Sequence, residues 1–386
     1  DNISLSGALK ELNAGSGNDT ININQGAKIR DLKAGDGDDT INIQKGADIN
    51  NAKIDGGSGF NSLKLSNGEV DLSKTSLNNI SAISGEAKLQ ANQVNNKSLT
   101  LGTGQKDNYG DPSGVFDSAT LNIQADKADL NLQGLKIASG SKNHTINIQN
   151  AKESQISLND KNLGNDGIDD VEVFASKVNV AGTANKDKIT LKEGKFASLD
   201  ANNGNDIINI EKGASLASLK AGDGNDTINI KGKVSELDAG NGDDDVIVEK
   251  DAEVKKLNAG AGDDIIRVKN GAKIELIDGS AGSDTLAFDK SSGSTSQTPT
   301  DISKATISNI EILDGEGVLS AKQINGQSFI LGGDKNKEVD GQKLLGNAKL
   351  QVKSDDLTNI NLANLKSQTG VKDNTVELQD VSEGKI

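Results

Sequence analysis

Ala221–Asn229 reads AGDGNDTIN. The same nine-residue pattern returns at Ala14–Asn22 (AGSGNDTIN), Ala34–Asn42 (AGDGDDTIN), Gly56–Lys64 (GGSGFNSLK), Ala201–Asn209 (ANNGNDIIN), Ala239–Ile247 (AGNGDDDVI), Ala259–Arg267 (AGAGDDIIR) and Gly279–Ala287 (GSAGSDTLA), with a degenerate copy at Gly182–Thr190 (GTANKDKIT). Within each cluster the copies recur about every 20 residues, the spacing of a stacked repeat. The eighth position is always apolar: Ile21, Ile41, Leu63, Ile189, Ile208, Ile228, Val246, Ile266 and Leu286. In the better copies the tenth position is apolar too (Ile23, Ile43, Leu65, Ile210, Ile230, Val248, Val268, Phe288), as is the residue two places before the motif (Leu12, Leu32, Ile54, Leu199, Leu219, Leu237, Leu257, Ile277). Apolar residues two apart mean strands. A second turn often carries Gly-Ala, as at Gly26-Ala27, Gly46-Ala47, Gly213-Ala214 and Gly271-Ala272. One such unit cannot bury its own apolar face, whereas stacked units can, in Ile and Leu ladders about 4.8 Å apart. The expected fold is all-β: a right-handed parallel β-solenoid (β-roll or β-helix) with rungs of about 20 residues.

A longer repeat overlies the short one. Asp71–Leu101 aligns without gaps to Asp301–Leu331, with identical pairs such as Asp71/Asp301, Ser73/Ser303, Asn79/Asn309, Gly85/Gly315 and Gln93/Gln323. Each block follows a run of the nine-residue motifs, so the chain reads as a tandem duplication. Four segments follow: residues 1–105, a motif run with a less regular β block; 106–181, the least regular solenoid segment; 182–290, the main motif run; and 291–386, a second irregular β block. Ser291–Thr300 (SSGSTSQTPT) reads as a surface loop. The best short helix candidates are Ser320–Asn325 and Asp355–Lys366.

Composition narrows the function classes. The 386 residues contain no Cys, Met or Trp, one Tyr, one His, two Pro and 44 Gly, with aromatics at 2%. A core so poor in aromatics must be built from many thin aliphatic layers. The formal charge of −15 argues against nucleic acid, whose phosphates would repel it, and favours cations. Without cysteine there are no disulfides, no thiol catalysis and no zinc–thiolate site. No apolar run approaches the roughly 18 residues of a membrane span. The residues given read as carrying no signal-peptide pattern, and the chain opens in mid-pattern at Asp1, as a fragment of something longer is expected to.

The motif, [A/G]-G-x-G-x-D-x-U-x with U apolar, has the chemistry of a calcium corner. Gly15, Gly17, Gly35, Gly37, Gly57, Gly59, Gly204, Gly222, Gly224, Gly240, Gly242, Gly260, Gly262, Gly279 and Gly282 permit a tight turn that points carbonyl oxygens inward. The sixth position supplies a carboxylate beside them: Asp19, Asp39, Asp187, Asp206, Asp226, Asp244, Asp264 and Asp284, with Asn61 as the exception. Carbonyl and carboxylate oxygens suit Ca²⁺. Stacking Asp over Asp at strand spacing is unfavourable without a counterion, and a shared cation removes that penalty. Asp160–Asp170 (DKNLGNDGIDD) is a possible further corner through Asp166, Asp169 and Asp170.

On these glycines, aspartates and following apolar residues, the motif resembles the nonapeptide of the RTX (repeats-in-toxin) family, over about half the chain. The resemblance implies a calcium-bound parallel β-roll. Family repeats are usually contiguous, but here the intervening half-turn, such as Ile43–Asn51, lacks the motif. That implies one calcium row along one edge instead of two, with the corners at Asn61 and Asn202 in question. Family members include toxins, proteases, lipases, adhesins and surface-layer proteins, usually exported by type I secretion. The absence of Cys and the polar Thr/Asn/Ser/Lys faces look most like the surface-layer and adhesin members. Some members self-cleave at Asp-Pro, which would fall here at Asp111-Pro112.

Other features read blandly. Thr20/Asn22, Thr40/Asn42, Thr145/Asn147 and Thr227/Asn229 form a polar strand face, whose sharper reading is a flat array that binds ice or glycan. His144, the sole histidine, reads as a surface residue. No carboxylate pair stands out as a glycosidase dyad, and no cluster has catalytic spacing, so the chain is not expected to be an enzyme. The expected function is a structural, calcium-stabilised part of a secreted bacterial surface layer. The alternative is a ligand-binding or spacer segment of a large RTX adhesin. Expected partners are calcium, copies of the chain or other surface-protein domains, and cell-surface glycan or lipopolysaccharide.

Overall fold

A computed structural model describes residues 1–102, 118–125, 129–132, 134–138, 144–152, 155–157, 170–182, 184, 186–289, 299–333, 338–339, 342–343, 346–353, 360–369, 371 and 373–379. The chain forms two compact units, Asp1–Thr190 and Leu191–Ile386. Each is a parallel β-solenoid with rungs about 20 residues apart, and the chain is nearly all β.

In the first unit Asn2–Leu5, Thr20–Ile23, Thr40–Gln44 and Ser62–Ser66 stack in parallel, with Ile3 over Ile21, Ile21 over Ile41 and Ile41 over Leu63. A second stack joins Glu11–Asn13, Asp31–Lys33, Lys53–Asp55 and Ser76–Asn78. In the second unit Ile207–Ile210, Thr227–Ile230, Asp245–Val248, Ile265–Val268 and Thr285–Phe288 stack the same way.

The core holds more positions per rung than the eighth-and-tenth alternation implies. One complete rung buries Ile21, Ile23, Ala27, Ile29, Leu32 and Ala34. Its counterpart buries Ile208, Ile210, Ala214, Leu216, Leu219 and Ala221. In the first unit the Gly-Ala turn allows this: Ala27 N–H donates to the Asn24 carbonyl at 3.0 Å, Gly26 takes φ +79°, and Ala27 drops inward; Gly213-Ala214, expected as a turn, instead lies within the continuous strand Ile207–Asp223. Removing a CH₂ from such a ladder costs about 1 kcal/mol.

The long duplication has a physical counterpart. Ala91–Val94 and Ala321–Ile324 are one-turn helices. The second lies within the Ser320–Asn325 candidate, while its twin was not anticipated. Both are closed by a capping box, and Gln93 and Gln323 each send Nε2 to two carbonyls, Leu72 and Thr75 or Ile302 and Ala305. The other helix candidate, Asp355–Lys366, differs: its described part, 360–366, is a turn in which Leu365 N–H donates to Leu362 O at 3.0 Å before a strand at Lys366–Ser367. The duplication also runs past the block that sequence comparison picks out. Leu130–Lys136 (LNLQGLK) matches Ile360–Lys366 (INLANLK), and the Leu135 N–H to Leu132 O bond repeats the Leu365–Leu362 turn.

His144 is buried, contrary to the surface position expected from its strand. Its Nδ1 accepts from Ala119 N–H at 3.1 Å, and Asn374 Oδ1 serves Ala348 N–H at 2.7 Å at the matching place in the other unit. A side-chain acceptor is needed at that corner, and His or Asn supplies it.

Candidate metal centre

The glycine–aspartate corners stack rung on rung. The Gly240–Gly260 and Gly222–Gly240 pairs are in register. A Cβ on Gly35 would lie 1.7 Å from the Gly15 carbonyl oxygen, and one on Gly240 would lie 1.9 Å from that of Gly222. Both glycines also take positive φ. The glycines therefore serve close rung-to-rung approach, beyond turning the chain. Asn202, where the motif has Asn for Gly, keeps the corner by taking φ +72° itself.

The sixth-position side chains point inward and are buried: Asp19, Asp39, Asn61, Asp187, Asp206, Asp226, Asp244, Asp264 and Asp284. Each rung's N–H donates to the next rung's side chain. Asp19 N–H reaches Asp39 Oδ1 at 2.8 Å, and Asp39 N–H reaches Asn61 Oδ1 at 3.0 Å. In the second unit the bonds run from Asp206 to Asp226 (2.7 Å), Asp226 to Asp244 (2.7 Å), Asp244 to Asp264 (2.8 Å) and Asp264 to Asp284 (3.0 Å). The amino group of Asp1 pairs with Asp19 Oδ1.

One oxygen per carboxylate is thereby used. The Oδ2 atoms of Asp19, Asp39, Asp226, Asp244 and Asp284 are buried with no hydrogen-bond partner. A buried, half-satisfied carboxylate is costly. Burial pushes the carboxyl of Asp226 up to about 6, Asp244 to about 8 and Asp284 to about 7. Neighbouring acids add to the rise at Asp244 and Asp284.

A hard cation such as Ca²⁺ fits this donor set, because the orphaned atoms are all oxygens beside backbone carbonyls. Among the described residues no three acidic or histidine side chains converge, so such an ion would complete its shell with carbonyl and solvent oxygens. Asn61 does not fit: its Nδ2 donates to Asn79 O at 3.2 Å and Gly57 O at 3.4 Å, and an amide nitrogen is no calcium ligand. Asp166 and Asp169 lie outside the described residues, as do Asp111 and Pro112. Asp170 opens a strand and pairs with Thr145.

A second ladder, unanticipated from the sequence, lies outside the first. At the fifth motif position Asn18 Oδ1 accepts from Asp38 N–H at 2.9 Å and Asp38 Oδ1 from Phe60 N–H at 2.7 Å. The same holds through Asn205, Asn225, Asp243 and Asp263, ending at Ser283 N–H. The outer ladder accepts from the following rung and the inner one from the preceding rung, so the corner is stitched in both directions. The signal was present: position five is Asn or Asp in the regular copies except the last of each run, Phe60 and Ser283, where no following motif remains to be bonded.

The Thr-x-Asn face is also laddered. Asn42 Nδ2 donates to Asn22 Oδ1 at 2.8 Å, Asn147 to Asn122 at 2.7 Å and Asn229 to Asn209 at 3.1 Å. Where the pattern breaks, Ile247, Ile265 and Ala287 form a small buried cluster on the outward side of the strands. No family model, curated protein or solved structure matches the chain.

Proposed function

We propose that this chain is a calcium-stabilised structural segment of a secreted bacterial surface layer, akin to the RTX proteins its motif resembles. One observation carries the reading: buried carboxylates stacked at one corner, with orphaned oxygens at Asp19, Asp39, Asp226, Asp244 and Asp284. Without a cation this row opposes folding; with one it clamps the register of successive rungs. The outward sides suit a repetitive scaffold. Lys231–Glu211, Lys256–Glu236 and the Lys233–Glu253–Lys273 chain bridge neighbouring rungs with ion pairs of 2.7–3.1 Å.

A second reading, a ligand-binding or spacer segment of a large RTX adhesin, draws on a groove of about 780 Å³ in the second unit. Its lining sets Lys233, Lys255, Lys273 and Lys304 beside Glu253, Glu275 and Asp301 over Val254 and Ile302, a mixed-charge groove that a polar glycan could enter. Sedimentation and electron microscopy of the purified chain, in millimolar calcium and in chelator, separate the readings. Calcium-dependent ordered sheets support the surface-layer role. A calcium-stiffened monomer that binds glycan supports the adhesin. An unchanged fold in chelator, with no bound calcium, overturns both.

A further inference from the structure

The two acidic rows end differently. In the first unit the last motif is Gly56–Lys64, and its Asn61 is buried with its amide against the Asn79 carbonyl at 3.2 Å. In the second unit the last motif is Gly279–Ala287. Here Asp284 stands for Asn61, Asn309 for Asn79, and Glu311 for Ser81. The backbone is preserved: Asn79 and Asn309 take φ +53° and +51°, while Gly57 and Ser280 take φ +80° and +69°.

The chemistry is inverted. A Cβ on Gly56 would lie 2.4 Å from Asn79 O and 2.7 Å from Asn61 Nδ2, a donor facing an acceptor. One on Gly279 would lie 1.9 Å from Asn309 O and 2.5 Å from Asp284 Oδ2, so two acceptors share the same small space. Asp284 is fully buried, and this Oδ2 has no hydrogen-bond partner. Glu311 adds a second carboxylate, its Oε2 accepting from Asp284 N–H at 2.9 Å. Two acceptors lining one space beside a second acid call for a proton or a cation between them, and once the carboxyl is ionised only a cation serves. Two neutral residues hold the matching place in the first unit, where an amide already fills the gap.

We infer that Asp284 Oδ2, the Asn309 carbonyl and Glu311 form a divalent-cation site closing the acidic row of the second unit, and that Asn61 plugs the equivalent position of the first with its own N–H. The inference rests on reading the row as cation-binding, and it adds a ligand, Glu311, that lies outside every motif copy. The terminal site takes a hard, oxygen-seeking ion of calcium's class.

Equilibrium dialysis of the full chain against radioactive calcium tests it, with Asp226→Asn as the row control. Glu311→Ser and Asp284→Asn should each bind one calcium fewer than the parent. The double variant Asn61→Asp/Ser81→Glu should bind one more. In chelator, Asp284→Asn should melt above the parent, because its amide regains the bond to Asn309 O. If Asp226→Asn loses calcium while Glu311→Ser and Asp284→Asn keep the parent count, the row stands and the terminal site falls. If the terminal variants lose calcium and Asp226→Asn does not, the site stands without the row. A parent that binds none overturns both. Should Asp284→Asn fail to fold, Glu311→Ser, which alters a half-buried side chain, decides the matter.

Discussion

The blocks Val70–Leu101 and Thr300–Leu331 are built with the same devices in two different units. Each has an Asp turn (Asp71 to Ser73 N–H, Asp301 to Ser303 N–H), a one-turn helix with a capping box, and a glutamine that ties the helix to two carbonyls. They part company where they meet the acidic row. One end is neutral, with Asn61 and Ser81; the other carries Asp284 and Glu311. The backbone tolerates either set, because ladder bonds to Asn61 Oδ1 and Asp284 Oδ1 are alike at 3.0 Å. The skeleton of the corner is thus set by backbone stacking and one acceptor oxygen. The remaining atom of the side chain decides whether the corner is satisfied, as at Asn61, or keeps an unpartnered oxygen, as at Asp284.

Chelation gives the largest test of that contrast. Hydrogen exchange in strands Thr227–Ile230 and Asp245–Val248 should speed up by roughly 10-fold or more on calcium removal, as a lost register clamp implies. Strand Ser62–Ser66, beside the amide plug, should change least. Equal acceleration in both places would break the comparison.

Glycine substitutions address what the two units share. Gly35→Ala and Gly240→Ala each place a Cβ within 2 Å of a neighbouring carbonyl, and urea denaturation should show losses of about 3 kcal/mol or more in both units. Gly7→Ala, with nothing within 4 Å, should stay within about 0.5 kcal/mol. A tolerant Gly240 would mean that the rungs are not held by the corner.

The pH dependence follows from the raised carboxyls. Asp226, Asp244 and Asp284 hold their protons more tightly when folded, at about 6, 8 and 7, than the ordinary 3.8. The folded state then binds more protons than the unfolded, so stability falls as pH rises. Without calcium, the melting temperature should drop between about pH 4 and pH 8 and level off above. Saturating calcium should flatten the curve, since the carboxylates are then paired. A calcium-free curve that rises over this window would refute the buried-acid account.

Smaller effects complete the series. Gln93→Ala and Gln323→Ala should each cost about 1–3 kcal/mol by chemical denaturation, because each leaves two carbonyls unserved. Matching losses would sharpen the equivalence of the two blocks. Asn225→Ala removes an exposed ladder acceptor and should cost about 0.5–1 kcal/mol.

Much of this was legible beforehand because it repeats locally. The eighth and tenth positions of each copy, Ile21 and Ile23 or Ile228 and Ile230, mark a strand with one buried face, and all four are buried. The sixth-position acids are where the motif places them. The position-five ladder is not legible in the sequence of any one copy because Asn18 or Asp243 looks like any polar loop residue until the next rung's N–H is beside it. The burial of His144 is not legible in the sequence because it depends on Ala119, 25 residues away, offering an N–H to a corner acceptor.

Periodicity by itself determined the solenoid, its rung length and the stacking of the acids, since each follows from the spacing of apolar residues, glycine and aspartate along one strand of chain. Only the tertiary structure decided which oxygens of those acids are spent and which are left over, that Asn61 satisfies itself, and that Glu311 joins Asp284. Those outcomes arise between rungs, where residues about 20 positions apart are brought within hydrogen-bonding distance and burial removes the water that would otherwise answer them.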